Sequence, residues 1–397
     1  MAMTLRGTVA LALLSLAAPA AQAVPDQWVG TWGSSPQLAE PGNRPAVPSL
    51  SGYTLRQVVH VSLGGGTVRL RLSNQFGDSP LSLASVHLAR STGAGGIDPG
   101  TDCTVTFSGL SAVALPAGTA LVSDPVGFKL RDGEAIAVTL KVLSSPHDYT
   151  AHPGSRTTSY IQAGDFISER TLPNPLKVDH WYFITGLDVV PSTPSAATLV
   201  ILGDSITDGR GSTTNGNDRW PDRLVQRFET ETPAVPVGVL NEGIGGNRIL
   251  HNGLGPAAVV RFGRDVLAQP GIRWLIIFEG INDLGGGASA KDIIAADQNF
   301  VAQAHARHLK VLGGTITPFD GFSMYYRPAT EAERQTVNQW IRAQGNFDGV
   351  IDFDLATRDP AHPTRLAAEY DSGDHLHLNP VGYARMAQAV DLRIFRE

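Results

Sequence analysis

The chain has 397 residues, of which 42% are apolar and 17% charged, so it is long enough for two domains and apolar enough for a sizeable core. These proportions exclude an intrinsically disordered chain. The formal net charge of -6 argues against binding of nucleic acid through a general positive field, and we predict no nucleic-acid partner.

The first 23 residues have the features of a secretory signal peptide. Arg6 lies in a short positive region, an apolar run covers about residues 9–18, and Ala21-Gln22-Ala23 is a small-residue cleavage signal. The apolar run is shorter than the ~20 residues that span a bilayer, and no later stretch is long and apolar enough. We therefore predict cleavage after Ala23, no integral membrane segment in the mature chain, and a secreted or periplasmic location.

Residues 24–190 are predicted to form an antiparallel β-sandwich or jelly-roll-like domain. Turn signals such as Gly77-Asp78 and Asp132-Gly133 separate short segments of alternating or β-rich character. These segments read YTLRQVVHVSL, TVRLRLSNQF, LSLASVHLA, TVTFSGL, AIAVTLKVL, TTSYIQAG and HWYFITGLDVV. The single cysteine, Cys103, precedes one of them and is interpreted as a strand residue, so neither a disulfide within the chain nor a thiolate metal cluster is expected.

A proline- and serine-rich stretch, residues 191–198, is predicted to be a linker. Beyond it, in residues 199–397, apolar strands alternate with helices. The strands read TLVILG, VGVLNEG, WLIIFEG, KVLGGTITP and GVIDFD, and the helices are expected at 219–231, 257–268, 290–308, 331–344 and from 380 onward. This alternation is typical of a parallel sheet covered by helices on both faces.

Four segments of this second half carry polar residues where strands end or before the last helix. They read GDSITDG (203–209), NEGIGGN (241–247), GIND (280–283) and SGDHLHLNPVGY (372–383). Each alone is consistent with a helix cap, a tight turn or a solvated loop. In an open parallel sheet, however, ligands bind beyond the carboxyl ends of the strands, so together the segments indicate one site.

The joint order of these segments resembles the four sequence blocks of the SGNH, or GDSL, hydrolase superfamily. Members of that superfamily are esterases and lipases on a flavodoxin-like three-layer sheet, and the resemblance covers about the last two hundred residues. By position it implies Ser205 as nucleophile, Asp374 as acid and His377 as base. It also implies Gly246 and Asn282 as oxyanion-hole donors beside the N–H of Ser205.

Elementary chemistry is consistent with these roles. A serine hydroxyl needs a base to remove its proton, and a histidine held by a carboxylate supplies one. Glycine allows close backbone approach, and a neutral amide donates a hydrogen bond without competing for the proton. Because Ser205, His377 and Asp374 need only these donors and water, no cofactor and no metal are expected.

Several further residues are weighed as site candidates. His375 is interpreted as a packing or cleft-lining neighbour of Asp374, and His305 and His308 as surface residues. Trp220, Tyr325 and Tyr326 are candidates to line a sugar-binding cleft, with packing as the favoured alternative for each. Arg248 is either a substrate contact or an ordinary surface arginine.

The segments around the four blocks also resemble a secreted subgroup related to rumen xylanolytic esterases that carries an N-terminal β domain. This similarity implies a carbohydrate ester substrate, with acetylated polysaccharide such as xylan in first place. One alternative is a broad short-chain acyl or aryl esterase, or a lysophospholipase. Another is a non-catalytic carbohydrate-binding protein.

Overall fold

The computed structural model describes residues 27–231 and 235–396, so the predicted signal peptide lies outside the described residues. In the described ranges, no helix has the length and apolar character that crossing a membrane requires. Buried apolar side chains form two main clusters, one from residues 29–196 and one from residues 197–395. The change from one core to the other falls within the predicted linker, while the limits of the two domains stay a prediction.

The N-terminal half is built of antiparallel strands. In chain order they are β1 (Val29–Gly33), β2 (Gln37–Leu38), β3 (Tyr53–His60), β4 (Gly65–Ser73), β5 (Leu81–Gly93), β6 (Gly96–Ile97), β7 (Cys103–Val105), β8 (Val113–Leu115), β9 (Ala120–Val122), β10 (Val126–Leu130), β11 (Ala135–Ser144), β12 (Thr150–His152), β13 (Ser159–Ala163), β14 (Leu176–Val178), β15 (Trp181–Tyr182) and β16 (Ile184–Val190). Short 3-10 helices cover Pro41–Asn43 and Pro99–Thr101.

Two large antiparallel sheets share one core. One has the order β14-β13-β3-β11-β5-β6, and the other has the order β1-β16-β4-β10. Val59 and Val138 of the first and Leu70 and Leu187 of the second are buried in the same apolar cluster. The β-rich pattern was therefore interpreted correctly, although β1 was not predicted because its sequence VGTWG does not alternate and is buried throughout.

The C-terminal half alternates strands and helices. Its strands are β17 (Ala197–Gly203), β18 (Val237–Gly243), β19 (Ile272–Phe278), β20 (Lys310–Gly314) and β21 (Gly349–Ile351). Its helices are α1 (Ser205–Asp208), α2 (Trp220–Glu231), α3 (Ala258–Phe262), α4 (Ile281–Gly285), α5 (Ala290–His305), α6 (Pro328–Arg342), α7 (Phe353–Thr357) and α8 (Pro380–Gln388), with a π-helical turn at Gly263–Leu267 and a 3-10 turn at Leu392–Arg396.

The C-terminal strands form one parallel sheet with the order β18-β17-β19-β20-β21, which is the flavodoxin-like order. Helix α2 packs against α8, and α5 packs against α3 and α6. Right-handed crossovers place these two groups on opposite faces of the sheet. The connection leaving β17 runs to one side of it and the connection leaving β19 runs to the other, so ligands are expected to bind between the carboxyl ends of these two strands.

The β-rich half covers the edge of the parallel sheet. Strand β18 is the edge strand, and the N–H of its Val239 donates to Ser62 Oγ at 2.7 Å. The N–H of Gly30 on β1 donates to Thr198 Oγ1 at 2.9 Å. A Cβ on Gly238 would overlap the carbonyl oxygen of Gly30, so the two backbones touch there. The edge that would otherwise be open to pairing with another chain is thereby occupied.

We predict that Gly238→Ala lowers the free energy of unfolding by about 1–3 kcal/mol, because the added methyl group has no room between the two halves. Urea unfolding would measure this. The control is Gly127→Ala on β10, where an added Cβ meets nothing within 4 Å. Equal stability of the two variants would contradict the close packing of β1 on β18.

Asp297 on α5 is buried, and its Oδ1 accepts no hydrogen bond from any described residue. Burial, and secondarily the charge of Asp283, raises the pKa of Asp297 to about 8, whereas an unfolded aspartate has a pKa of ~3.9. At a pH between these two pKa values, Asp297 is protonated in the folded chain and ionised in the unfolded chain. The free energy of unfolding therefore falls as the pH rises toward 8.

We predict that Asp297→Asn removes this pH dependence of the free energy of unfolding. Between pH 5 and pH 8, we expect the unmodified chain to lose on the order of 2–4 kcal/mol more stability than the variant. Urea unfolding at both pH values measures the difference. Asp292→Asn, an exposed position on the same helix, should behave like the unmodified chain. The same pH dependence in the Asp297 variant would show that this carboxyl is not the cause.

Candidate active site

Ser205 lies at the carboxyl end of β17, the fully buried strand ATLVILG. Asp204 caps α1, since its Oδ1 accepts a hydrogen bond from the N–H of Ile206 at 3.0 Å. Gly209 ends α1 with a φ of 96°, and a Cβ there would overlap Arg219. A buried strand, a cap and a glycine thus fix the serine at the top of the sheet.

Ser205, His377 and Asp374 form a continuous chain of hydrogen-bonding atoms. Ser205 Oγ lies 2.9 Å from His377 Nε2. His377 Nδ1 lies 2.7 Å from Asp374 Oδ2, and because a carboxylate only accepts, Nδ1 is the donor. The serine and histidine are buried, and the aspartate is partly exposed. This arrangement leaves Nε2 unprotonated and facing the serine hydroxyl.

The aspartate is held in its charged form by its own loop. Although burial disfavours the charge, hydrogen bonds from the ring and N–H of His377 and from the N–H of Leu376 keep the pKa of Asp374 well below its usual range. Asn379 caps the following helix α8 and ends the loop. Asp374 is therefore ionised at neutral pH and orients the imidazole.

The N–H groups of Ser205 and Gly246 are available as donors. Ser205 is the first residue of α1, where an N–H has no acceptor within the helix. Among the described residues, none accepts a backbone hydrogen bond from Gly246. Gly246 has a φ of 72°, and a Cβ on it would lie 2.6 Å from Leu254 Cδ1, so glycine is required here.

The side-chain amide of Asn282 is oriented by two hydrogen bonds. Its Nδ2 donates to the carbonyl oxygen of Asn247 at 2.8 Å, and its Oδ1 accepts from the hydroxyl of Tyr325 at 3.0 Å. One N–H of the amide remains for a ligand. Tyr325 lines the cleft beside Asn282, whereas Trp220 is buried in the core and does not line a sugar site.

The buried guanidinium of Arg261 ties the site loops together. It donates to the carbonyl oxygens of Gly203 at 3.0 Å and Glu242 at 2.6 Å, and to Asn247 Oδ1 at 3.0 Å. It also donates to Ser35 Oγ of the β-rich half at 2.9 Å. One side chain thus connects the end of β17, the end of β18, the loop of Gly246 and the N-terminal half.

The carboxyl groups of Asp204, Glu242, Asp265 and Glu279 are buried near this guanidinium. Burial raises the pKa of Asp204 to about 7, and of Glu242 and Glu279 to about 8, even though the positive charge of Arg261 acts in the opposite direction. At neutral pH Glu242 and Glu279 are therefore largely protonated, and Asp204 is partly protonated.

The two halves line one open cleft of about 800 Å³ at Ser205. The residues that line it from the C-terminal half are Ser205, Asp208, Arg210, Gly245, Gly246, Leu254, Asn282, Phe322, Met324, Tyr325, Asp374, Leu376 and His377. Those from the N-terminal half are Gln37, Glu40, Asn43, Pro153, Gly154, Arg156 and His180. The β-rich half therefore contributes a wall of the cleft.

His152 of β12 contacts the helix that carries Ser205. Its Nε2 lies 2.9 Å from Asp208 Oδ1, and its Nδ1 lies 3.0 Å from the carbonyl oxygen of Ser35. Its ring stacks on Trp181, with ring centroids 5.8 Å apart. The N-terminal half thereby holds the far end of α1.

The structure brings together all of the residues predicted from the four blocks: Ser205, Gly246, Asn282, Asp374 and His377. His375 packs on Gly321 and pairs with Asp371, with 56% of its side chain exposed, and does not line the cleft. Arg261, Asp208 and the cleft residues of the β-rich half were not predicted. In the sequence, the only sign of Arg261 was its i, i+4 spacing from Asp265, which is typical of an ion pair on a helix. Because exposed ion pairs have the same spacing, it does not identify a buried residue.

Residues 201–385 match the GDSL-like Lipase/Acylhydrolase family. No curated protein matches the chain.

Solved structures also resemble about half of the chain. A lipase/acylhydrolase from Enterococcus faecalis is 21% identical, with 50% of this chain and 94% of that chain covered at a TM-score of 0.40. An acetyl xylan esterase from Geobacillus stearothermophilus is 21% identical, with 51% of this chain and 96% of that chain covered at a TM-score of 0.38. At such values the neighbours do not bear on the substrate of this chain.

By the family match, residues 201–385 belong to the SGNH/GDSL hydrolase superfamily, and the chain is an ester hydrolase.

Proposed function

We propose that this hydrolase cleaves carboxylic esters with Ser205 as the nucleophile, His377 as the general base and Asp374 as the residue that orients the base. The observation that carries the proposal is the unbroken chain of contacts from Ser205 Oγ to His377 at 2.9 Å and from His377 to Asp374 at 2.7 Å. This geometry is the one that activates a serine hydroxyl.

In the proposed reaction, Ser205 Oγ attacks the ester carbonyl while His377 Nε2 takes the hydroxyl proton. The tetrahedral oxyanion receives hydrogen bonds from the N–H groups of Ser205 and Gly246 and from Asn282 Nδ2. His377 then gives its proton to the leaving alkoxide, which leaves an acyl group on Ser205. Water repeats the sequence, with His377 as base, and releases the carboxylic acid.

As substrate we propose acetylated polysaccharide, with xylan first. The support is the similarity of the sequence around the four blocks to xylanolytic esterases, together with the character of the cleft. Polar side chains that can hydrogen-bond sugar hydroxyls line its N-terminal wall, among them Gln37, Asn43 and His180. Apolar side chains such as Phe322 and Leu376 line the other wall and suit a short acyl group.

A broad short-chain acyl or aryl esterase, or a lysophospholipase, is the second candidate. Met324 and Leu254 line the cleft with 68% and 49% of their surface exposed, which favours contact with an apolar substrate. The non-catalytic carbohydrate-binding alternative is set aside, because the chain is an ester hydrolase.

The proposed location stays secreted or periplasmic on the signal-peptide pattern alone, and N-terminal sequencing of the exported protein tests it.

We expect the unmodified chain to release acetate from acetylated xylan and Ser205→Ala to lower kcat by about 10⁴- to 10⁶-fold, because the hydroxyl is the proposed nucleophile. Acetate release measures both. No release by either protein, with 4-nitrophenyl acetate still cleaved by the unmodified chain, would reject xylan and favour the second candidate. Full activity of the alanine variant would reject Ser205 as nucleophile.

Asn282→Ala should lower kcat by about 10²- to 10³-fold with a small change in KM, because its amide acts on the oxyanion and not on the bound ester. Tyr325→Phe keeps the amide of Asn282 but removes the hydroxyl that donates to it, so we expect kcat to fall by about fivefold. Tyr326→Phe, whose side chain does not line the cleft, is the control. A change in KM alone for Asn282→Ala would assign it to ground-state binding.

A further inference from the structure

The N-terminal wall of the cleft contains an arginine that is held in position without a hydrogen-bond partner. Arg156 lines the cleft with Ser205, and 31% of its side chain is exposed. Its Nε is buried and forms no hydrogen bond with a described residue. Its nearest charged neighbour, Asp208 Oδ2, lies 3.8 Å from its Nη2, beyond hydrogen-bonding distance.

The backbone at Arg156 is held in an unfavourable conformation by the hydrolase half. Arg156 has a φ of 50°, which is uncommon for a residue with a side chain. The N–H of Asn215 donates to the carbonyl oxygen of Arg156 at 2.8 Å, and Asn215 also bonds the N–H and hydroxyl of Thr158. Asn215 itself has a φ of 62°. Such conformations persist where the surrounding structure imposes them, and they cluster at functional sites.

A second arginine lines the same cleft. Arg210 follows α1 directly, and its position is fixed by its backbone, whose N–H donates to the carbonyl oxygen of Ser205 at 2.9 Å. Arg210 is exposed, and its side chain forms no hydrogen bond with a described residue. Arg156 and Arg210 therefore offer guanidinium donors on two different segments, one from each half of the chain.

Each acidic residue of the cleft already accepts at least one hydrogen bond. Glu40 accepts from Gln37 Nε2 at 2.7 Å and from Asn43 Nδ2 at 2.8 Å. His152 binds Asp208 Oδ1 and His377 binds Asp374, whereas Asp208 Oδ2 accepts no hydrogen bond from a described residue and lies 3.8 Å from Arg156 Nη2. Among the residues described, two guanidinium groups of the cleft, those of Arg156 and Arg210, thus form no hydrogen bond. Guanidinium groups bind carboxylates in a two-pronged, charge-assisted arrangement.

We infer that Arg156, assisted by Arg210, binds a carboxylate on the substrate, so that the preferred ester belongs to an acidic saccharide that contains a uronic acid. This inference rests on the proposed function, because it specifies the alcohol part of the same ester. The carboxylate lies outside the oxyanion hole and takes no part in bond breaking. Arg156 is accordingly a specificity-determining residue.

The test compares two acetylated saccharides that differ only in the uronic acid, which is a free carboxylate in one and the neutral carboxamide of the same size in the other. Acetate release gives kcat/KM for each. We expect a preference for the carboxylate of about 10- to 100-fold, the effect of one hydrogen bond to a charged group, and a smaller preference at high salt.

Arg156→Gln should remove most of this preference by lowering kcat/KM for the carboxylate far more than for the carboxamide, and Arg156→Lys should keep part of it through its charge. Arg210→Gln should reduce the preference less. The matched control is Arg170→Gln, an exposed arginine of the β-rich half outside the cleft, which should leave the preference intact.

Each possible result of these measurements either supports or contradicts the proposed role of Arg156. Equal kcat/KM for the two saccharides in the unmodified chain, or equal losses on both in Arg156→Gln, would overturn the role of Arg156. In either case, hydrolysis that is lost in Ser205→Ala would leave the proposed function standing. Cleavage of 4-nitrophenyl acetate but of neither saccharide would overturn this inference and the saccharide substrate together, while the ester hydrolase would remain.

Discussion

The active site depends on one buried positive charge. The guanidinium of Arg261 bonds the carbonyl oxygens at the ends of two adjacent strands and the side chain of Asn247, next to Gly246. A fully buried arginine is stable only when its donors are satisfied and an acid lies close by, and Asp265, whose Oδ2 lies 3.4 Å from Nη1, meets the second requirement. The loops around Ser205 therefore cannot move independently of one another.

The same guanidinium links the two halves, since it also bonds Ser35. Around this contact the N-terminal half covers the edge strand β18 and holds α1 through His152 and Asp208. The β-rich half is thus part of the active site and not an appended module. It closes a sheet edge, steadies the helix that carries Ser205, and supplies the polar wall of the cleft.

Charge is distributed unevenly between the base of the site and its opening. At the base, burial raises the pKa of Glu242 and Glu279 to about 8, so these acids are largely protonated at neutral pH. Nearer the opening, hydrogen bonds keep Asp374 ionised. In the proposed reaction, this carboxylate lies against His377 and stabilises the imidazolium that forms.

The sequence by itself determined the alternation of strands and helices in the C-terminal half and the positions of Ser205, Gly246, Asn282, Asp374 and His377. Continuous apolar runs, glycines and caps are local features, and the functional residues follow them directly in the chain. Only the tertiary structure decided that Arg261 is buried, that β1 packs on β18, that Arg156 reaches the cleft, and that His152 contacts Asp208. Those contacts join residues more than fifty positions apart, and no local pattern encodes which distant surface a side chain will meet.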